Sequence, residues 1–140
     1  KYSNQYKIKK KILNFKNIII AEKRLLNLLK QNKIQFICLA GFMKILSSKF
    51  IKQFNGKIIN IHPSLLPRYK GLNTHSRAIQ NKDKFSGCTV HYVTEKLDSG
   101  KIIMQKKIKI LKKDTSSSLA RKILKQEHKI YPKAILKIFN

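Results

Sequence analysis

Acidic side chains are scarce in this chain of 140 residues, which carries 6 Asp and Glu against 32 Lys and Arg, a formal net charge of +26. Tryptophan is absent. Such an excess of positive charge, taken alone, suggests a nucleic acid or another polyanion as partner. The lysines, however, are spread along the whole length, and no basic motif is interleaved with aromatic residues. We therefore interpret the charge as a bias of composition rather than as a nucleic-acid site, although it would still draw anionic substrates towards the protein.

Long apolar runs are also missing. No stretch approaches the roughly 18 residues that a membrane-spanning helix needs, so no membrane partner is expected, and no secretory signal is visible. The two cysteines, Cys38 and Cys88, lie in apolar, strand-like segments. They do not form the framework of a secreted disulfide protein, so we predict two buried free thiols and a cytoplasmic setting. The first residue is Lys1 rather than Met, which suggests a partial chain.

The order of the apolar patterns predicts an α/β protein. Leucines at helical spacing mark a helix at 21–33, and an apolar run marks a buried strand at 34–40. Further segments follow as a short helix ending at Phe54, strands at 57–62, 86–95 and 101–110, and helices at 74–81 and 115–139. Pro132 should kink or break the last helix. This alternation predicts a mostly parallel sheet flanked by helices, in one domain over residues 18–140 after a basic, irregular or flexible lead-in at 1–17.

One segment at the end of a predicted strand is the best candidate for chemistry. Asn60 and His62 are two residues apart in Asn60-Ile61-His62-Pro63, so a strand would point both side chains to the same side. Ligands of open α/β sheets bind beyond the carboxyl ends of the strands. An amide donor beside a titratable ring suits the stabilisation of a developing oxyanion. A histidine capping a strand end is the structural alternative.

Three further titratable residues are informative. Asp98, in a Leu-Asp-Ser-Gly turn, is the natural partner of His62, although periodicity leaves open whether they meet. Glu127 falls on the apolar stripe of the last helix, where it either pairs with a lysine or faces a ligand. His91 is interpreted as a satisfied histidine within a sheet. Metal-ligand spacings, a nucleotide phosphate loop and a nucleophile elbow are all lacking, and no metal is expected.

Four stretches carry a resemblance to a known family: LAGFMKILS at 39–47, NIHPSLLPRYKG at 60–71, HYVTEKLDSGKII at 91–103 and QEHKIYP at 126–132. The chain resembles the glycinamide ribonucleotide formyltransferases, within the wider group of formyl-tetrahydrofolate transferases and hydrolases. The resemblance covers roughly residues 20–138. It implies a Rossmann-like, three-layer formyltransferase fold and formyl transfer from 10-formyltetrahydrofolate, as co-substrate, to the amine of phosphoribosylglycinamide in purine synthesis.

The same resemblance implies roles for three sets of positions. The catalytic trio would be Asn60, His62 and Asp98. The folate-binding positions would be Met43, Lys44, Ile45, Leu46, Asn60, Thr94, Glu95, Lys96, Leu97 and Asp98. The positions that bind phosphoribosylglycinamide would be Leu124, Lys125, Gln126 and Glu127.

The chain also departs from that family. Members begin with a strand and a glycine-containing loop that holds the substrate phosphate, and nothing similar precedes residue 20 here. Members usually carry Arg where this chain has Lys44. We therefore expect the middle and C-terminal part of a longer enzyme, weakly active or inactive by itself. The alternatives are a deformylase, a methionyl-tRNA formyltransferase, or a non-catalytic basic binding module on the same fold.

Overall fold

The computed structural model of this chain describes residues 5–140. Its elements, in chain order, are α1 (Ile18–Gln31), β1 (Phe36–Leu39), α2 (Ser48–Gln53), β2 (Lys57–His62), α3 (Thr74–Gln80), β3 (Phe85–Tyr92), β4 (Ile102–Lys109) and α4 (Ser116–Phe139). Residues 8–14 form neither helix nor strand, and residues 1–4 of the expected lead-in lie outside the described part. The α/β class follows directly from this order.

Side chains just ahead of the helices explain where three of them start. The Asn17 carboxamide accepts a hydrogen bond from the Ile20 amide, which starts α1 earlier than the leucine pattern predicts. The Ser47 hydroxyl accepts from the Phe50 amide at the start of α2. Thr115 starts α4 with a reciprocal pair of bonds to Ser118. These caps satisfy amides that have no partner within the first turn.

The strands form one four-stranded sheet in the order β1-β2-β3-β4. Only β1 and β2 are parallel, while β2–β3 and β3–β4 are antiparallel. The expectation of a mostly parallel sheet is therefore corrected to a mixed sheet within the described residues. The physical reason is that the chain reverses twice: β3 returns beside β2 after α3, and β4 returns beside β3 after the loop at 93–101.

Helices cover both faces of the sheet, so the expected three layers are present. On one face, Ile59, Ile61, Cys88 and Val90 form a core with α3 and α4. On the other face, Ile58 packs with Phe50 and Phe54 and with the leucines of α1. Because side chains alternate along a strand, Asn60 and His62 point to the same face as Ile58, beyond the end of its core.

One sequence expectation is wrong, and a second is wrong in part, because the last helix does not break at Pro132. Cys88 is buried, but Cys38 is exposed, because within residues 5–140 β1 pairs with β2 alone and lies at an edge of the sheet. The last helix runs unbroken through Pro132. Pro132 and His128, whose carbonyl would have accepted the missing bond, both lie on the exposed side of α4, where water can take the place of the lost donor.

No helix in the described part of the chain combines the length and the apolar character that crossing a membrane would require.

Candidate active site

His62 lies at the carboxyl end of β2, with its ring held between two acceptors. Its Nε2 is 2.9 Å from the backbone oxygen of Tyr69, and its Nδ1 is 3.5 Å from Oδ2 of Asp98. A carbonyl and a carboxylate can only accept, so the ring satisfies both partners only when both nitrogens carry hydrogen. The arrangement therefore suits a positively charged imidazolium in an almost fully buried position.

Asp98 reaches this ring from the turn between β3 and β4. Its Oδ2 also accepts a hydrogen bond from the Gly71 amide at 2.8 Å, and the His62 and Asp98 side chains are each only 8% exposed. The Asp98 backbone has a φ of 45°, a left-handed conformation that Asp and Asn adopt more readily than most residues. The proximity of His62 and Asp98, which periodicity left open, is confirmed by this geometry.

Asn60 joins the same group from β2. It is half-buried, and it lies directly opposite His91 in the β2–β3 ladder. Its Nδ2 is 3.5 Å from Nε2 of His91. The three residues of the expected trio are therefore gathered at one end of the sheet, on one face.

His91 is a member of this group that the sequence interpretation assigned only to the sheet. The ring is 2% exposed, its Nδ1 is 2.8 Å from the Tyr92 carbonyl, and its Nε2 is 3.6 Å from Oδ1 of Asp98. The pKa of His91 is lowered, mainly by burial and also by the charge of His62. The hydrogen bond to the Tyr92 carbonyl and the charge of Asp98 raise the pKa, but by less. The alternation of Val90-His91-Tyr92 was a signal for a side chain on this face, but only the strand register shows that the face is that of Asn60.

His75, on α3, is a second neighbouring histidine. Burial lowers its pKa, and the charge of His62 lowers it further. Its Nε2 is buried and has no hydrogen-bond partner. Among the three rings, His62 is therefore the one whose surroundings suit a positive charge.

The loop after β2 is tied to the sheet by a buried polar network that the sequence analysis did not foresee. The Thr89 hydroxyl donates to the Ser64 carbonyl at 2.6 Å and accepts from the Leu66 amide at 3.1 Å. The Gln105 amide donates to the Leu66 carbonyl and to the Thr89 hydroxyl, both at 2.9 Å. This network fixes the start of the loop that brings the Tyr69 carbonyl to His62.

A second set of bonds fixes Tyr69 itself. Its hydroxyl donates to Asp83 at 2.7 Å, and Arg68 forms an ion pair with the same carboxylate at 2.8 Å. The Arg77 guanidinium lies over the Tyr69 ring, 5.0 Å from its centroid. Tyr69 has a positive φ of 55°, which these side-chain contacts hold in place.

The segment expected to bind folate at 94–98 is a closed loop. The Tyr92 amide donates to the Lys101 carbonyl at 3.0 Å, and the Val93 amide donates to the Ile58 carbonyl at 2.8 Å. Gly100 permits this closure, because a Cβ there would lie 1.8 Å from the Tyr92 oxygen. Leu97 is exposed, and Glu95 pairs with Lys52 at 3.5 Å.

The other expected folate segment, residues 43–46, is exposed to solvent except at its last residue. Met43 is 73% exposed and Ile45 is 64% exposed, and Lys44 is also exposed. Leu46, in contrast, packs into the core beneath α2. The Leu46 side chain is thus structural, and any contact that this residue makes with a ligand has to come from its backbone.

Glu127 differs from every other acid of the chain. The other five acids each make a hydrogen bond or an ion pair, whereas Glu127 makes neither with any residue at 5–140. It is half-buried, and burial raises the pKa of its carboxyl group, partly offset by His128. Of the three residues before it, Leu124 and Lys125 are exposed and Gln126 is half-buried. A desolvated, unpaired carboxylate suits contact with a ligand, since pairing with a lysine does not occur here.

Together these residues can stabilise negative charge that develops on an oxygen atom. Asn60 offers an amide donor, His62 a ring whose two acceptor partners suit a positive charge, and Asp98 a carboxylate beside that ring. Fixed donors in a partly dry site are effective because they need no reorganisation during the reaction. The described residues contain no group of three His, Cys, Asp or Glu side chains arranged to hold a metal ion.

A family model described as formyl transferase matches residues 2–135. The phosphoribosylglycinamide formyltransferase of Haemophilus influenzae is 44% identical over 122 residues, which are 87% of this chain and 58% of that protein. The human trifunctional purine biosynthetic protein adenosine-3 is 42% identical over 121 residues, 86% of this chain and 12% of that protein. The chain therefore spans between about an eighth and somewhat more than half of these curated relatives.

Solved structures to which the chain is similar also carry the name phosphoribosylglycinamide formyltransferase. The phosphoribosylglycinamide formyltransferase of Coxiella burnetii superposes with a TM-score of 0.87 at 38% identity, covering 99% of this chain and 66% of that one. The enzyme of the same name from Anaplasma phagocytophilum has a TM-score of 0.78 at 48% identity, covering 81% and 55%.

Proposed function

This chain belongs to the formyl transferase family, and from that membership we propose that the protein of which it is part transfers a formyl group from 10-formyltetrahydrofolate to the amine of phosphoribosylglycinamide. The strongest support is the convergence of Asn60, His62 and Asp98 at one end of the sheet, with His62 and Asp98 3.5 Å apart. The relatives named as phosphoribosylglycinamide formyltransferases and as purine biosynthetic proteins support this acceptor over others.

In the proposed reaction the amine nitrogen forms a bond to the formyl carbon, and the bond from that carbon to N10 of the folate breaks. The amine loses a proton and N10 gains one. The tetrahedral intermediate carries an oxyanion, which the Asn60 amide and the charged His62 ring stabilise. Both ring nitrogens of His62 already face acceptors, Tyr69 at 2.9 Å and Asp98 at 3.5 Å, so the ring would act on the oxyanion through its positive charge. Asp98 keeps the ring charged, and it takes the amine proton through a water molecule and passes it to N10 as the bond to the folate breaks.

Binding roles for the flanking segments complete the proposal. The exposed apolar side chains of Met43, Ile45 and Leu97 would cover the flat ring system of the folate, and the closed loop at 94–98 would present backbone groups to it. The unpaired Glu127 carboxylate would accept hydrogen bonds from the sugar hydroxyls or the amine of the acceptor. These segments suit a folate and a small anionic acceptor, and neither role requires a metal.

We further propose that residues 18–140 form one domain of this enzyme and that it works in the cytoplasm. The two free thiols, Cys38 and Cys88, fit a reducing compartment. The contact of Phe15 with Phe42, whose ring centroids are 5.4 Å apart, supports a lead-in that packs against this domain.

The test is formyl transfer by the natural full-length protein, with glycinamide ribonucleotide, methionyl-tRNA and water offered separately as acceptors. We expect turnover with glycinamide ribonucleotide, and a loss of about 10²–10³ in kcat for Asn60→Ala. Asn27→Ala, a change of an exposed asparagine on α1, is the matched control and should leave turnover unchanged. Transfer to methionyl-tRNA alone, or hydrolysis alone, would overturn the assignment of the acceptor. The 140-residue chain run in parallel should be at least about 10²-fold slower, if the segment that orients the substrate phosphate is supplied by the longer protein.

A further inference from the structure

His91 lies within hydrogen-bonding reach of the Asn60 side chain in this structure. Its Nδ1 lies 2.8 Å from the Tyr92 carbonyl oxygen, which can only accept, so Nδ1 carries the hydrogen. A neutral ring with hydrogen on Nδ1 has a bare Nε2, which is an acceptor. The group 3.5 Å from that Nε2 is Nδ2 of Asn60. An Asn60 amide turned the other way would bring two acceptors, Oδ1 and Nε2, against each other.

We propose that His91 is a positioning residue for formyl transfer, because its bare Nε2 accepts from Asn60 and so holds the amide with its NH2 group available to the oxyanion. Nδ2 carries two hydrogens, and the one not bonded to His91 remains for the substrate. This inference rests on the function proposed above, since it assigns His91 the task of orienting the donor on which that reaction depends.

The surroundings keep His91 in the neutral form that this task needs. The ring is 2% exposed, and burial lowers its pKa below the usual range. If Nε2 were protonated, it would become a donor facing Oδ1 of Asp98 at 3.6 Å and could no longer accept from Asn60. His62 carries the positive charge of the site, and a second charge on His91 would repel it. The two histidines therefore have different roles: His62 is charged, and His91 is a neutral acceptor.

Two substitutions separate this role from a merely structural one. His91→Gln can place its amide oxygen near the position of Nε2, so it retains an acceptor for Asn60. His91→Asn places its amide near Nδ1, where it can donate to Tyr92, and leaves the Nε2 position empty. In the full-length protein we expect His91→Asn to lower kcat about 10- to 100-fold, less than complete loss of an oxyanion donor. KM should change less than about threefold, and His91→Gln should retain most of kcat.

A double-mutant cycle with Asn60→Ala gives the decisive comparison. Once Asn60 is absent there is no amide to orient, so His91→Asn should cost nothing further in kcat. A histidine that only packs would cost the same factor in both backgrounds. Equal losses in both backgrounds, or equal activity of His91→Asn and wild type, would overturn the proposal.

A spectroscopic measurement keeps the inference testable if His91→Asn fails to fold. Nitrogen-15 NMR of the full-length wild-type protein at neutral pH should show the His91 ring with hydrogen on Nδ1 and none on Nε2. His91→Gln assigns the resonances. Hydrogen on Nε2 would overturn the role of His91 even in an enzyme that transfers formyl groups. The expected tautomer in a protein without formyl transfer would instead overturn the proposed function, and with it the catalytic consequence drawn here.

Discussion

Replacing Asp98 with asparagine removes one charge from the site and changes little else. Asparagine tolerates the left-handed φ of 45° at this position, so the backbone of the turn should survive. The Gly71 amide, which donates to Oδ2 at 2.8 Å, requires the oxygen of the new amide on its own side. The NH2 group then lies near Nε2 of His91, whose lone pair the Asn60 amide already uses. The shape of the side chain is preserved, and the main loss is the negative charge beside His62.

The size of that loss follows from the separation and the burial. At 3.5 Å and an effective dielectric constant of about 20, two unit charges attract by roughly 5 kcal/mol. Part of this attraction is offset by the desolvation of two groups that are each only 8% exposed. We therefore expect the charged form of His62 to lose about 3–4 kcal/mol of stabilisation, and kcat to fall by about 10²–10³ because less of that charge is left for the oxyanion. KM should change little, because the His62 charge matters most when the oxyanion develops.

The assay is steady-state formyl transfer by the full-length protein, with substrate and folate titrated in turn. Asp114→Asn is the matched control, since Asp114 is also an aspartate paired with a cation, Lys122, at a half-buried position, but it lies ahead of α4 and outside the site. It should retain wild-type turnover. A folded Asp98→Asn enzyme with kcat within about threefold of wild type would refute the reasoning that the Asp98 charge stabilises a charged His62.

Three further predictions concern stability, measured by urea unfolding. The Lys122 ammonium, the Leu111 amide and Ser118 lower the pKa of Asp114 from 3.8 to about 2. Asp114→Asn should therefore destabilise the protein at neutral pH. The difference in stability between wild type and variant should fade as the pH drops from about 4 to about 2. Burial raises the pKa of Glu127, so Glu127→Gln should stabilise the protein at neutral pH. This gain in stability should vanish below the ordinary pKa of 4.5. A gain that does not depend on pH would contradict the desolvation argument. Ile123→Ala in the core should cost about 2–5 kcal/mol, while the control Leu136→Ala, 61% exposed, should cost under about 0.5 kcal/mol.

Much of the architecture could be predicted because local patterns report local structure. The strand at 57–62 and the helix ahead of Phe54 both follow from patterns within a few residues. The helix at 116–139 could be predicted, but not its continuity through Pro132. The helix continues through Pro132 because that residue lies on the side of α4 that faces water. Packing of α4 against the sheet decides which side faces water.

The direction and the edges of the sheet could not be predicted in the same way. Strand direction depends on how the connections cross the sheet, and the chain reverses between β2 and β3 and again between β3 and β4. Cys38 has an apolar neighbourhood in sequence, yet it is exposed, because β1 pairs with β2 alone in the part of the chain that the structure describes. Apolar neighbours along the chain do not ensure neighbours in space.

The candidate site was also determined partly by the sequence and partly by the tertiary structure. The sequence by itself determined that Asn60 and His62 share one side of a strand end, because alternation at a spacing of two is a property of any strand. It also determined the identity of each group and hence its chemistry. Only the tertiary structure decided that Asp98 reaches His62, that His91 lies opposite Asn60, and that Glu127 remains unpaired. These contacts join distant segments through strand register, a closed loop and helix packing, and no local pattern specifies them.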